Sequence, residues 1–351
     1  MTDSTLALNP AKVKKILVCQ LRQIGDVMLS TPVAELLAKK FPDAEIHYFT
    51  EKKCVPVLQH NPYISHIWAL DKKELSNPFK EFVFYKKVAR QGYDLMVGLQ
   101  HLPRIRWISY LTDAPVKLSY HSSWINDLGY THLTPAKDGY ASESKAAILA
   151  PLGIEWNCTT PKLFLTEEER SAMAGRLKEW GVTEEHRLIT VDATHHDLGR
   201  KYPAENYAKV ISALAKKHSD LRFVLLAGPG EEGIFDDILQ NCDTPEAVIV
   251  PKPSLQLREV AACQERCILH FGNCSAPRHM SVAVGTPTFV VLGSSSDAWR
   301  FPSDAHTTVN SDIDCRPCNN STCPVGYKCL SELDPEYVAQ QLMNHIEGIT
   351  D

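Results

Sequence analysis

A short apolar run at residues 15–20 (KILVCQ) is followed by a polar loop through Gly25 and an apolar-periodic stretch through Leu29, Val33, Leu36 and Leu37. After Phe41-Pro42-Asp43 a second apolar run covers residues 45–49. Strand, helix, strand at this spacing admits few folds. The two strands must lie parallel, and the crossover between them is right-handed, so the chain is committed to a sheet covered by helices. Pro42 disfavours a helical residue before it, which ends the helix at the turn. Further strands are predicted at residues 64–69 and 95–99, with a helix at 79–91. Such alternation predicts an α/β fold with a doubly wound parallel sheet.

The same rhythm restarts after Leu163-Phe164-Leu165-Thr166. Thr166, followed by Glu167, Glu168 and Glu169, reads as a capped, acid-rich helix start. Strands are predicted at residues 188–191, 223–227, 247–250, 267–271 and 288–292, so the second half repeats the class of the first. A chain of 351 residues leaves each half enough sequence for its own core. The expected division is 1–165, 166–334 and a final helix in 335–351, running from Pro335 through Leu342 and Ile346. No short repeat and no low-complexity tract interrupts this pattern.

Composition excludes several classes. With 44% hydrophobic and 23% charged residues, neither disorder nor a fibrous architecture is indicated. No apolar run reaches the ~20 residues that cross a bilayer, and the start MTDSTLALNPAKVKK has no signal-peptide core. A cytoplasmic location is expected. Eleven cysteines suit it if they stay reduced or bind metal. Up to residue 165 there are 20 Lys and Arg against 15 Asp and Glu; beyond it, 17 against 27. A basic half suits an anionic partner such as a phosphorylated lipid headgroup, although an ordinary solvated surface has the same composition.

Parallel sheets bind ligands beyond the carboxyl ends of their strands, which directs attention to four loops. In residues 21–26 only Gly25 is present, so the G-x-G-x-x-G dinucleotide fingerprint is missing and hydride transfer is disfavoured. Gly25 is expected to permit a backbone turn. Asp26 either caps the next helix or stands in the site as a general base. In residues 194–203, a polar loop with adjacent cations suits a departing diphosphate. The neighbouring His195 and His196 cannot both point inward from a regular element, which argues against a metal there. Residues 227–232 carry glycines that allow close backbone approach, followed by carboxylates suited to ribose hydroxyls. In residues 272–279, Ser275 is a natural N-cap and Pro277 is tolerated in a first turn, so free N–H groups would face a phosphate. Arg278 and His279 would add to that pocket, or His279 would simply pack.

At these residues the sequence resembles glycosyltransferase family nine, the ADP-heptose–lipopolysaccharide heptosyltransferases. Residues 14–62, with the Gly-Asp loop and the Phe-Pro turn, carry the most specific likeness. Residues 94–120, the basic-x-aromatic-Pro segment at 200–214, and residues 273–293 with Trp299 and Pro302 also follow the family pattern. The resemblance implies a GT-B architecture of two Rossmann-like doubly wound domains around a central cleft, the acceptor on the first and the nucleotide sugar on the second. It implies Asp26 as general base in an inverting, metal-independent transfer, with Arg200 stabilising the leaving diphosphate. Thr194, Lys201, Glu231, Cys274, Ser275, Ala276 and His279 would bind the donor, Glu231 at the ribose. Arg22, Gly25, Arg104 and Arg106 are acceptor-side candidates. The implied donor is ADP-heptose and the acceptor a lipopolysaccharide-core or other lipid-linked saccharide, with peripheral contact at the cytoplasmic face of the inner membrane, no required cofactor and no nucleic-acid partner. The final helix would pack back on the first domain.

One position departs from the family. Where Asp-Ser/Thr-Gly is usual, this chain has Cys274-Ser275-Ala276, which replaces a carboxylate by a poor hydrogen-bonding thiol. A nucleotide-sugar-binding protein of weak or absent activity is therefore the alternative. A nucleotide-sugar epimerase is a third reading, against which the Gly25-Asp26 loop argues. Finally, Cys315, Cys318, Cys323 and Cys329 form a C-x2-C-x4-C-x5-C cluster that could hold structural zinc, remain as thiols or pair as disulfides.

Overall fold

The uninterrupted apolar sequence Ile16-Leu17-Val18-Cys19 lies in β1 (Lys15–Cys19) and is buried, as a strand covered on both faces requires. In this computed structural model, which describes residues 6, 8–75, 77–320 and 322–350, β1 pairs in parallel with β2 (Glu45–Glu51) on one side. On the other it pairs with β4 (Leu95–Gly98). β3 (His66–Leu70), β5 (Val116–Tyr120) and β6 (His132–Thr134) complete a parallel sheet in the order β3-β2-β1-β4-β5-β6. Among the described residues the α-helices that accompany it are α1 (Ile24–Met28), α2 (Thr31–Lys40), α3 (Pro78–Ala89), α4 (Pro103–Leu111), α5 (Trp124–Asp127) and α6 (Ala141–Ala146). The strands β5 and β6 were not predicted from the sequence.

The chain divides into two compact units, the first ending at Phe164 and the second beginning at Leu165. The second unit opens on α7 (Glu167–Glu179) with a capping box: Thr166 Oγ1 accepts from Glu169 N at 3.3 Å, and Glu169 Oε2 accepts from Thr166 N at 2.8 Å. Its sheet contains β7 (Arg187–Asp192), β8 (Leu221–Leu226), β9 (Val248–Ile249), β10 (Leu269–Asn273), β11 (Thr288–Val291) and β12 (His306–Val309). These strands are parallel, in the order β12-β11-β10-β7-β8-β9. The helices are α8 (Ala204–Lys217), α9 (Gly233–Gln240), α10 (Leu257–Glu265), α11 (Ala276–Ala283), α12 (Lys328–Ser331) and α13 (Pro335–Thr350). Only β12 among these strands was unforeseen.

The final helix is built into the second unit. Its apolar stripe of Val338, Leu342 and Ile346 is buried in the core of its own unit, with Tyr207, Leu214 and Phe289. The spacing of four along α13 sets this stripe against α8. Truncating the fully buried Leu342 to alanine would cost about 2–5 kcal/mol.

In each unit the strand order reverses beside the first strand, between β1 and β4 and between β7 and β10. At such a switch point the connections leave toward opposite faces, and the loops beyond the strand ends part to form a crevice.

Candidate functional site

At the first switch point, the chain leaving β1 is tied to the loop beyond β4. Leu21 N and Arg22 N donate to Gln100 Oε1 at 3.2 and 3.3 Å, and Gln100 Nε2 donates back to Arg22 O. These bonds fasten Leu21 and Arg22 to the loop beyond β4 just before α1 begins. Asp26 is the third residue of that helix and its side chain is 28% exposed. Oδ2 accepts from Gln23 N at 3.2 Å, while Oδ1 faces Lys145 Nζ at 3.4 Å. One carboxylate thus caps the helix with one oxygen and meets a cation with the other. Lys145, on α6, also donates to the fully buried Gln20 Oε1 at 3.0 Å. Burial pushes the Lys145 pKa down, against the attraction of Asp26.

Gly25 plays a different part from the one expected. It lies inside the first turn of α1 and is not among the glycines of positive φ. Its backbone is ordinary right-handed helix, so no left-handed residue is needed there. Arg22 and Arg104 line a cavity of about 510 Å³ with Leu21, Glu81, Phe82, Tyr85, Leu102 and Trp107. Within it Arg104 Nη2 bonds Glu81 Oε1 at 3.0 Å and Arg104 Nε bonds the Tyr85 hydroxyl at 3.1 Å. Arg106 is not part of the cavity lining; its Nη1 reaches Ile125 O at 3.4 Å.

The second switch point brings Thr194 and Ser275 onto Asp192, a carboxylate the sequence reading missed, with Cys274 and Ala276 flanking Ser275 in the chain. Asp192 ends β7 and is buried. Its Oδ1 accepts from Thr194 Oγ1 at 2.9 Å and Thr194 N at 3.1 Å, and its Oδ2 accepts from the Ser275 hydroxyl. Burial pushes the Asp192 pKa up to about 6 against these hydrogen bonds. Ser275 does occupy the N-cap of α11, but its side chain makes no capping bond. The hydroxyl is spent on Asp192, so the first-turn N–H groups beyond Ser275 keep their capacity for a ligand.

Asn273, also missed, organises the loop that carries the cations. Its Oδ1 accepts from Tyr202 N at 3.1 Å and Tyr207 hydroxyl at 2.9 Å, and its Nδ2 donates to Thr194 O at 3.3 Å. Both ends of the 194–202 loop are thereby pinned to β10. Arg200 sits on this loop, its Nε 3.8 Å from Asp197 Oδ2 and without a hydrogen bond among the described residues. Lys201 follows it, partly exposed. Glu231 stands beyond β8, where its Oε2 accepts from Gly228 N at 3.3 Å, and its charge reaches Asp192.

The Cys274 thiol is buried and accepts a hydrogen bond from Arg278 Nη1 at 3.4 Å. Arg278 is only 1% exposed, and its Nη2 has no partner among the described residues. A buried guanidinium with so little compensation is costly and favours anions nearby. Burial first, then Arg278, then His270, pushes the His279 pKa down to about 3, so its imidazole is neutral. His279 Nδ1 also lacks a partner among the described residues, and the ring lies 6.1 Å from that of Trp299.

Cys315, Cys318, Cys323 and Cys329 line one cavity of about 20 Å³, and all four are free thiols. Cys323 Sγ accepts from Tyr327 N at 3.2 Å. Among the described residues no group of three His, Cys, Asp or Glu side chains is placed to hold a metal ion. Asp192 had a visible signal, a carboxylate closing an apolar strand. Lys145 had none, because its position beside Asp26 depends on where α6 packs.

The profile of glycosyltransferase family 9 (heptosyltransferase) matches residues 82–328. Lipopolysaccharide heptosyltransferase 3 of Escherichia coli is 28% identical over 286 residues, covering 79% of this chain and 83% of that protein. Among solved structures, the family 9 glycosyltransferase of Veillonella parvula DSM 2008 superposes with a TM-score of 0.83 at 24% identity, over 99% of this chain and 100% of that one. The ADP-heptose lipopolysaccharide heptosyltransferase II of E. coli does so with 0.75 at 17% identity, over 96% and 100%. The architecture is GT-B, two parallel six-stranded α/β domains.

Proposed function

Because the chain belongs to glycosyltransferase family 9, the heptosyltransferase family, we propose that it transfers heptose from ADP-heptose to a hydroxyl of a lipopolysaccharide-core or other lipid-linked acceptor. The names of its relatives support the donor and acceptor classes. The observation that carries the reading is the Asp26 carboxylate, partly exposed at the first switch point and held between the Gln23 amide and Lys145. In this reading Asp26 takes the proton of the acceptor hydroxyl. The acceptor oxygen then bonds the anomeric carbon from the face opposite the diphosphate, the bond to the diphosphate breaks, and ADP leaves with inverted configuration at the sugar.

The developing charge on ADP is met by chain groups. Arg200 and Lys201 supply cations, and the uncapped start of α11, with Ser275, Ala276 and His279, supplies oriented N–H dipoles. With these groups in place the step requires no metal ion. Glu231 binds the ribose, Thr194 and Cys274 border the donor, and Arg22 and Arg104 serve the acceptor from the cavity they line. Peripheral contact with the inner membrane belongs to the same reading; among the described residues no helix is long and apolar enough to cross a membrane.

Asp26→Asn tests the assignment. Transfer should be abolished while ADP binding, measured by calorimetry, stays near that of the wild type; retained turnover would overturn the base. A second reading, a nucleotide-sugar-binding protein without transfer, is favoured by the thiol at Cys274. Binding of ADP-heptose by the wild type with neither transfer nor hydrolysis, across a panel of acceptors, would select it.

A further inference from the structure

We infer that the exposed aromatic face built by α3, α4 and α5 is the surface that seats this protein on an anionic lipid bilayer. The inference rests on the reading of a lipid-linked acceptor and adds where the membrane is met. On α3, Phe79, Phe82 and Val83 recur at i, i+3 and i+4 and all are exposed, Phe79 at 73%. On α4, Trp107 and Tyr110 stand on one side, at 51% and 49%. Phe82 meets Trp107 edge-on at 6.1 Å, and Trp107 meets Tyr110 at 6.5 Å. Gly129 lies against the Tyr110 ring, which joins the patch to Leu128 and to α5, where Trp124 is 74% exposed. Hydrophobic residues left in water in such numbers, on adjacent helices of one unit, mark an interaction surface.

Charge decides which partner. The α3 stripe continues into Lys86 and Arg90, at i+7 and i+11 from Phe79, with Lys80 beside it. Among the described residues none of these three has a carboxylate partner. A two-fold contact with a second copy would set the patch against itself and bring like charges together. An anionic headgroup layer neutralises them instead, and tryptophan, tyrosine and phenylalanine suit the depth where headgroups meet acyl chains. The face is continuous with the acceptor-side cavity, since Phe82 and Trp107 belong to both. A lipid-linked saccharide rising from the bilayer would reach Arg22 and the Asp26 loop without leaving the surface.

Co-sedimentation with vesicles of phosphatidylglycerol and phosphatidylethanolamine, against vesicles of phosphatidylcholine alone, tests this on the full chain. The wild type should bind the anionic vesicles, and added salt should weaken binding. Phe79→Ser with Val83→Ser and Trp124→Ser should lower partitioning ~10-fold or more, as should Lys86→Glu with Arg90→Glu. These side chains are outside the cavity lining, so transfer to a deacylated, water-soluble acceptor should be unchanged in both sets. Variants that bind the anionic vesicles as tightly as the wild type would overturn the inference. So would a wild-type dimer, seen by light scattering, that the same substitutions dissociate. Vesicle binding with no transfer by the wild type to any acceptor would instead count against the proposed reaction and leave the face standing.

Discussion

The Ser275 hydroxyl donates to the Asp192 carboxylate across the two central strands of the second sheet, and the helix that Ser275 would otherwise cap begins uncapped. A buried acid and an open helix start are thus two sides of one hydrogen bond. The bond keeps the serine off the first-turn amides, where an anionic diphosphate would compete for the same N–H groups.

Asp192 makes stability pH-dependent in a defined direction. Its folded pKa of about 6 lies above the ordinary carboxyl value, so its contribution is full below about pH 4 and lost as the pH rises through 6. A shift of this size corresponds to on the order of 3 kcal/mol. Asp192→Asn should therefore gain stability relative to the wild type at pH 7.5 and little or none at pH 4. Urea unfolding of both proteins at the two pH values checks the difference; an equal gap at both would remove the explanation.

Cys274→Asp would place a carboxylate where Arg278 now meets only a thiol. Because the guanidinium is already buried, the new pair compensates a charge whose burial cost is present in the wild type. The midpoint of thermal unfolding should rise by several degrees, corresponding to about 1–3 kcal/mol. A lowered midpoint, with the fold intact by circular dichroism, would mean that Arg278 is satisfied in some other way.

Lys145→Met removes the cation that faces Asp26 Oδ1 while keeping the length of the side chain. If Asp26 is the base, turnover should fall ~10-fold or more through loss of its orientation, with KM for the donor little changed. A rise in donor KM with unchanged kcat would place Lys145 outside the acid–base machinery. Lys145→Arg should restore part of the turnover.

Asn273→Ala leaves the Tyr207 hydroxyl and the Tyr202 amide without their buried acceptor. Each such group costs about 1–3 kcal/mol, so the variant should be destabilised and the 194–202 loop freed. Faster amide hydrogen exchange at Tyr202, together with weaker ADP binding, is the expected result. Unchanged exchange would show that the loop is held from elsewhere.

Much of the class was legible because it is local. Ile16-Leu17-Val18-Cys19, the Phe41-Pro42 turn and the Thr166-Glu169 capping box each signal their structure within a few residues, and the strand starts followed from them to within three residues. The strands β5, β6 and β12 were not predicted; β6 and β12 are edge strands whose three or four residues carry too little periodicity. Among the site candidates, Asp26 and Ser275 fell at the strand ends where a parallel sheet opens. Their bonds did not follow from that placement: Ser275 looked like a cap, and Gly25 looked like a turn.

What the sequence determined alone was therefore the alternation of strands and helices, the two-sheet class and the loops in which chemistry could lie. Those depend on side-chain period and turn chemistry, which neighbours along the chain decide. Tertiary structure alone decided that Lys145 faces Asp26, that Asp192 takes the Ser275 hydroxyl, and that Arg278 is buried against Cys274. Burial and pairing depend on which distant segments a side chain meets, and strand order, not sequence distance, determines those meetings.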